Sequence, residues 1–383
     1  MSSSLSAFAL LIRMDRAFRN FVLWVRRRFS TMSFRSIGIV VAIAAAIIYM
    51  IVVPSVSSFL DQFQERPTSY TIEELTWLET LRIRSAKFAV FAIFTYCGAC
   101  VASFINVVAA SAPRGRSVAI RGSACPKCGS AIRRIDNLPL FSYLNLGGRC
   151  RHCSTKIPLR YFFVECVGAL IFGSLFLYEL VTGADNVPGF RRYLHTGILW
   201  IILYTKWQVV GIYFYHASFM ICLLLLSLMD LDRLRCPRWL AWLMLTTFAV
   251  LPVGIAILQP VSLDDQVPFA FSVGLPDWAT RAVTCLVGGL AGWTLGRLVR
   301  KVCSRKLLRQ FPGKAFPLGL SLVGIALGWQ AVVTVALLVI LAAGLITVIG
   351  RLAKRSWRVP ATALLLAVVM LHHPAWERLA ELW

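Results

Sequence analysis

Nine stretches of this sequence are apolar and nearly free of charge, near residues 36–55, 87–110, 162–182, 197–229, 239–258, 281–297, 316–330, 332–350 and 359–373. Several approach the roughly 20 residues that span a hydrocarbon core. In lipid, each such segment has to satisfy its own backbone N–H and C=O groups, and an α-helix does so within one segment. The run 197–229 is long enough for one tilted helix or two short ones, and 316–350 has no clear polar break. The sequence therefore predicts an all-α polytopic membrane protein of about eight or nine transmembrane helices. Composition agrees: 58% of residues are hydrophobic and 15% charged, whereas soluble domains carry about a quarter charged residues.

A net charge of +23 would suit nucleic-acid binding if it gathered on one soluble face. Instead the Lys and Arg residues cluster in short segments beside the apolar runs, the pattern of cytoplasmic loops, and no nucleic-acid partner is expected. The segment 1–35 holds Arg13, Arg16, Arg19, Arg26, Arg27, Arg28 and Arg35 against Asp15, which places the N-terminus in the cytoplasm. The loop 56–86 holds Asp61, Glu65, Glu73, Glu74 and Glu79 and reads as the opposite side. Alternation then puts 111–160, Arg233 to Arg238, Arg297 to Lys314 and Arg351 to Arg358 inside, and the C-terminus outside. The chain divides on this reading into 1–86, with the basic segment, first span and external loop; 87–182, with two spans around the loop 111–160; and the membrane domain 197–373.

The loop 111–160 carries Cys125 and Cys128, then 21 intervening residues, then Cys150 and Cys153. Two C-x2-C pairs supply the four thiolates that a tetrahedral zinc site takes, one residue beyond the usual ribbon spacing. Disulfides are disfavoured in the reducing cytoplasm. With four sulfur ligands the metal would have no open position, so a structural clasp in a zinc-ribbon-like loop is expected. A third pair, Cys97 and Cys100 in "FTYCGACVASF", lies in an apolar run and reads as helix packing.

Around the clasp, "SFINVVAASAP" (103–113), "DNLPLFSYLNLGGRCRHC" (136–153) and "IPLRYFFVE" (157–165) resemble the type IV prepilin leader peptidase family. Members are aspartic proteases of the cytoplasmic (inner) membrane. They cleave leaders from type IV pilin and pseudopilin precursors, and many methylate the new N-terminus with S-adenosylmethionine. The resemblance implies such precursors and membrane lipid as partners, S-adenosylmethionine as a cofactor, and substrate handling or methyl transfer for the cysteine-loop region. Within that region Asp136 and Asn137 either turn the loop or contact substrate. Glu165 either meets a helix N-terminus or serves as a functional carboxylate. Asn106 is either a helix-bonding polar group or part of the active region.

An aspartic protease needs two acids, one ionised and one protonated. The family's first acid, an Asp seven residues before a Pro, is matched by Asp230 and Pro237 in "LLLLSLMDLDRLRCPRWL". Asp232, nearer water, reads as a partner for Arg233 or Arg235. The second acid belongs to a GxGD motif ahead of "LGW". Here "GIALGW" (324–329) fits the tail, and Gly313–Phe316, "GKAF", aligns with GxGD, so Phe316 stands at the acid's position. Leu318 replaces the basic residue that follows, and the late Pro-Phe-Gly-Pro segment is reduced to "RVPATALLLA". From Trp278 through Trp376 there is no Asp or Glu. Rescue by Asp232 would require a broken helix, rescue by Asp264, Asp265 or Asp277 would require an acid from the other side, and a partner subunit would have to donate its own. Two readings follow. One is a peptidase, with possible N-methylation, in which Asp230 is catalytic and the second acid unconventional. The other is a protease-inactive relative that binds pilin-like precursors or assembly partners, or only methylates.

Overall fold

The computed structural model describes residues 47–52, 77–117, 124, 125, 127–190, 201, 205–258, 276–303, 311, 313–354 and 359–380. The basic segment 1–35, most of the first apolar run, and Asp264 and Asp265 lie outside the described residues. Helices dominate, and the extended pairing among the described residues is limited to two isolated antiparallel bridges, Ala124 with Ala131 and Arg149 with Lys156.

The main helices are α1 (Trp77–Ser111), α2 (Leu159–Leu175), α3 (Trp207–Leu231), α4 (Arg238–Gly254), α5 (Asp277–Cys303), α6 (Phe316–Leu327), α7 (Trp329–Leu352) and α8 (Ala361–His372). Among the described residues, five helical segments are long and apolar enough to cross a membrane: Leu81–Arg114, Leu159–Val181, Trp207–Leu231, Asp277–Lys301 and Trp329–Leu352. The run near 197–229 yields one described helix, α3. Where 316–350 lacked a polar break, Gly328 supplies one through its backbone: φ is +90° there, a conformation only glycine adopts freely, and it separates α6 from α7.

The described residues fall into two compact units, one within 1–86 and 124–158, the other within 87–123 and 159–383. The first contains the cysteine loop. In the second, α3 and α6 form the core. Every residue of α6 is buried, as expected of a helix that is apolar all round. Its 12 residues rise only about 18 Å, short of a bilayer's hydrocarbon thickness.

Small residues decide which helices touch. A Cβ on Gly98 of α1 would fall 2.3 Å from the Gly168 carbonyl oxygen of α2. On α5, Gly288, Gly292 and Gly296 repeat every fourth residue along one face, and α6 lies directly on that face. A Cβ at Gly292 would fall 2.1 Å from the Leu320 carbonyl oxygen. Membrane helices pack by such close backbone approach, because lipid gives apolar side chains no incentive to separate from it. Cys97 and Cys100 are exposed. The buried neighbours are Gly98 and Ala99, so the packing expected of the thiols falls to the small residues between them.

Candidate functional site

In the cysteine loop, the two C-x2-C knuckles are built alike. Cys125 N–H donates to Ser130 O and Gly129 N–H to Cys125 O, while Cys150 N–H donates to Thr155 O and Ser154 N–H to Cys150 O. The residue after each second cysteine, Gly129 or Ser154, has a positive φ, which turns the chain so that both thiols of a pair point the same way. All four sulfurs lie within 4.8 Å of one another, and Cys125 Sγ is 3.8 Å from Cys153 Sγ. A tetrahedron with zinc–sulfur bonds of about 2.3 Å has edges of roughly 3.8 Å, so this donor set fits a metal ion. The polar surroundings of Cys153, with Thr155 foremost, lower its thiol to about 6. The downward shift favours the thiolate, the ligating form.

Asp136 braces this unit. It is buried in a 3-10 turn, Arg134–Asn137, and receives two hydrogen bonds from Arg151, Nε to Oδ2 at 2.7 Å and a terminal nitrogen to Oδ1 at 2.6 Å. Arg151 lies between Cys150 and Cys153, so the bidentate pair ties the central segment to the second knuckle. The guanidinium holds the Asp136 carboxyl below its usual range. Asn137, next in the turn, is exposed.

In the other unit, Asn106 of α1 is buried, and its Nδ2 has no hydrogen-bond partner among the described residues. Glu165 is buried in the first turns of α2.

Asp230 ends α3, where the chain turns through Arg233 in the left-handed region. The carboxylate is buried and reaches the segment aligned with the second acidic motif. Oδ1 accepts Lys314 N–H at 2.9 Å, both oxygens accept Ala315 N–H at 3.2 and 3.3 Å, and Oδ2 accepts the Thr362 hydroxyl at 3.0 Å. The first two donors lie at the N-terminus of α6, where free N–H groups and the helix dipole favour an anion. A Cβ on Gly313 would meet Ala361 Cβ at 2.9 Å, Phe316 Cβ at 3.3 Å and Asp230 Oδ2 at 3.5 Å, so glycine lets this strand of backbone lie against the acid. Phe316, the first residue of α6, is 1% exposed. The structure thus brings Asp230 and Gly313–Phe316 together.

Asp232, two residues on, is paired with Arg160 of α2 through both terminal guanidinium nitrogens, rather than with Arg233 or Arg235. Asp277 starts α5. The far end of that helix carries Arg300, which reaches the Lys314 carbonyl oxygen at 3.5 Å. A helix of 27 residues puts its ends roughly 40 Å apart, so Asp277 is remote from Asp230.

One cluster was not anticipated from the sequence. Glu179 Oε1 lies 2.6 Å from His216 Nδ1 and 2.7 Å from His373 Nε2, and all three residues are buried. The signal was available, since Glu179 and His216 are ionisable residues inside apolar runs, but neither belongs to the motifs that drew attention to Asp230.

A model of the Bacterial Peptidase A24 N-terminal domain matches residues 96–178. Among similar proteins, a prepilin leader peptidase/N-methyltransferase of Myxococcus xanthus is 43% identical over 97 residues, 24% of this chain and 29% of the relative. One from Vibrio cholerae is 43% identical over 81 residues, 19% of this chain and 32% of the relative. A type 4 prepilin-like proteins leader peptide-processing enzyme of Escherichia coli is 52% identical over 56 residues, 15% of this chain and 21% of the relative. The chain thus spans less than a third of the length of these relatives. No solved structure matches it. Residues 96–178, which include the cysteine loop and α2, are thus similar to the bacterial peptidase A24 N-terminal domain and to part of the prepilin leader peptidase/N-methyltransferases.

Proposed function

We propose that this chain is a divergent relative of the prepilin leader peptidases, set in the cytoplasmic (inner) membrane, that engages leaders of type IV pilin-like or pseudopilin precursors but lacks the aspartate dyad for cutting them. The observation that carries this reading is the Asp230 carboxylate lying on the Lys314 and Ala315 N–H groups beside buried Phe316. Two nearby carboxylates sharing a proton make one an acid and the other a base. A single carboxylate bonded to three donors, with Phe316 at the position of the second acid, has no such partner. Of the other acids considered, Asp232 is held by Arg160 and Asp277 lies at the far end of α5, while α6 to α8 contain no Asp or Glu.

The cysteine loop is proposed to hold one structural zinc through Cys125, Cys128, Cys150 and Cys153, stabilising the part of the chain most similar to the relatives. Methyl transfer from S-adenosylmethionine does not need the dyad. We assign it, where retained, to the same region with Asn106, Asn137 and Glu165 as candidates, and give Asp136 the bracing role supported by its pairing with Arg151.

The test is cleavage of a cognate pilin-type precursor by membranes containing the parent, Asp230→Asn or Phe316→Asp protein, with the product N-terminus read by mass spectrometry. The expected result is no cleavage by the parent and detectable cleavage by Phe316→Asp. Cleavage by the parent that Asp230→Asn abolishes would sink the inactive-protease reading and leave a peptidase with an unrecognised second acid.

A further inference from the structure

We propose that Glu179, His216 and His373 form a second, buried site for a divalent metal ion, of the two-histidine, one-carboxylate type that suits zinc. The proposal does not depend on the fate of the peptidase dyad. The three residues come from distant parts of the chain: the π-helical segment Phe176–Val181 that follows α2; the first half of α3; and the turn His373–Ala375 after α8. One potential ligand atom from each falls within 4.8 Å of the other two. π-Helical turns recur at functional sites because they re-aim a side chain that a regular helix would carry elsewhere.

Their surroundings favour an ion over a hydrogen-bonded trio. Glu179 and His373 are 0% exposed and His216 is 1% exposed, and Glu179 lies in a segment apolar enough to span a membrane. An ionised carboxylate there requires a compensating positive charge. Both imidazoles converge on one oxygen, Oε1, while Oε2 has no hydrogen-bond partner among the described residues. His216 Nε2 and His373 Nδ1 are likewise without one. Three orphaned polar atoms in one dry cluster are an unusual load. A dication bound by His216 Nδ1, His373 Nε2 and both oxygens of Glu179 supplies the charge and occupies Oε2. Imidazole and carboxylate are donors that zinc accepts at about 2.0–2.2 Å, so the donor atoms need only spread from 2.6 and 2.7 Å to roughly 3 Å or a little more. Each neutral imidazole keeps its single proton by moving it to the other ring nitrogen, so no further reactant is required.

Ring packing and backbone bonds, rather than partners for the outer ring nitrogens, hold the ligands in place. Trp376 stacks on His373 with ring centroids 5.5 Å apart and meets His216 edge-on at 5.7 Å. Asn186 Nδ2 donates to the His373 carbonyl oxygen at 3.2 Å, and Glu377 N–H returns a bond to Asn186 O at 3.1 Å. The site is closed and joins the end of α2, α3 and the C-terminal turn, which assigns it a structural role.

The experiment must separate this ion from one held by the cysteines. Purified full-length protein is stripped with chelator, reloaded with cobalt(II), and assayed for bound metal per chain and for absorption. Thiolate ligation gives intense charge-transfer bands that a histidine and carboxylate site lacks. The expected result is about two cobalt ions per parent chain, falling to about one in Glu179→Gln and in His373→Ala with the thiolate bands unchanged. The Cys125→Ser/Cys150→Ser variant should lose the thiolate bands and keep one ion. Unchanged metal content in Glu179→Gln, or a parent whose cobalt is all accounted for by thiolate ligation, would overturn the proposal and leave the trio as a charged hydrogen-bond network.

Discussion

At the scale of single residues, Asp230 has a structural task whatever its chemistry. It satisfies two backbone donors at the start of α6 and the Thr362 hydroxyl. Removing the carboxylate strands those donors in a buried setting, at about 1–3 kcal/mol for an unsatisfied group. Asp230→Ala should therefore lower the thermal-unfolding midpoint of the purified protein by several degrees, and Asp230→Asn, which still offers an oxygen, by less. Equal midpoints in all three proteins would show that the cap contributes nothing. This prediction explains why the cleavage control above uses the asparagine variant. That Asp230 faces Gly313–Phe316 was legible because two motif fragments far apart in sequence each kept enough of their pattern to be aligned. The partner of Asp232 was not, since nothing local marks Arg160 as reaching the end of α3. Nor was the Glu179, His216 and His373 cluster, because its members are close only after α2, α3 and α8 have packed.

At the scale of helices, apolar runs revealed where the elements lie, because hydrophobic length is a property of each segment alone. How they pack depends on something hydropathy understates: glycine scores poorly as an apolar residue, yet Gly288, Gly292 and Gly296 let α5 lie against the backbone of α6. The break at Gly328 was missed for a related reason, since a change of backbone direction needs no polar residue. The contact between α5 and α6 also sets where α6 begins, and hence where Lys314 and Ala315 present their N–H groups to Asp230. Gly292→Val should force the helices apart and destabilise the protein by about 3 kcal/mol or more, the upper range for overpacked interiors. Gly344 of α7 is the contrasting position, because a Cβ there meets nothing within 4 Å. Gly344→Ala should be neutral or stabilising by up to about 1 kcal/mol, through the greater helix preference of alanine. Thermal unfolding of the two variants beside the parent tests the pair, and a Gly292→Val protein as stable as the parent would deny that the crossing is tight.

At the scale of the whole molecule, the remaining question is which side of the membrane each end faces, and charge is the quantity that decides it. Translocating Lys and Arg residues is disfavoured, so short basic segments stay in the cytoplasm. The seven arginines of 1–35 set against Asp15, the basic run from Arg297 to Lys314, and Arg351 to Arg358 make the same demand from different parts of the chain. The short helices complicate the count. α6 and α8, each 12 residues long, are shorter than the roughly 20 residues of a full crossing, so adding up helices does not yield the parity of crossings. Charge supplies an expectation instead, because Glu377 and Glu381 follow the last apolar run with Arg378 alone among Lys and Arg beside them. The C-terminus should lie outside and the cysteine loop inside. A periplasmic alkaline phosphatase fused after Trp383 should be active and a green fluorescent protein at the same point dark, with the reverse outcome for fusions within the cysteine loop. A bright fluorescent fusion at the C-terminus would mean that Ala361–His372 does not carry the chain across, and that α8 enters the membrane and returns to the side from which it came.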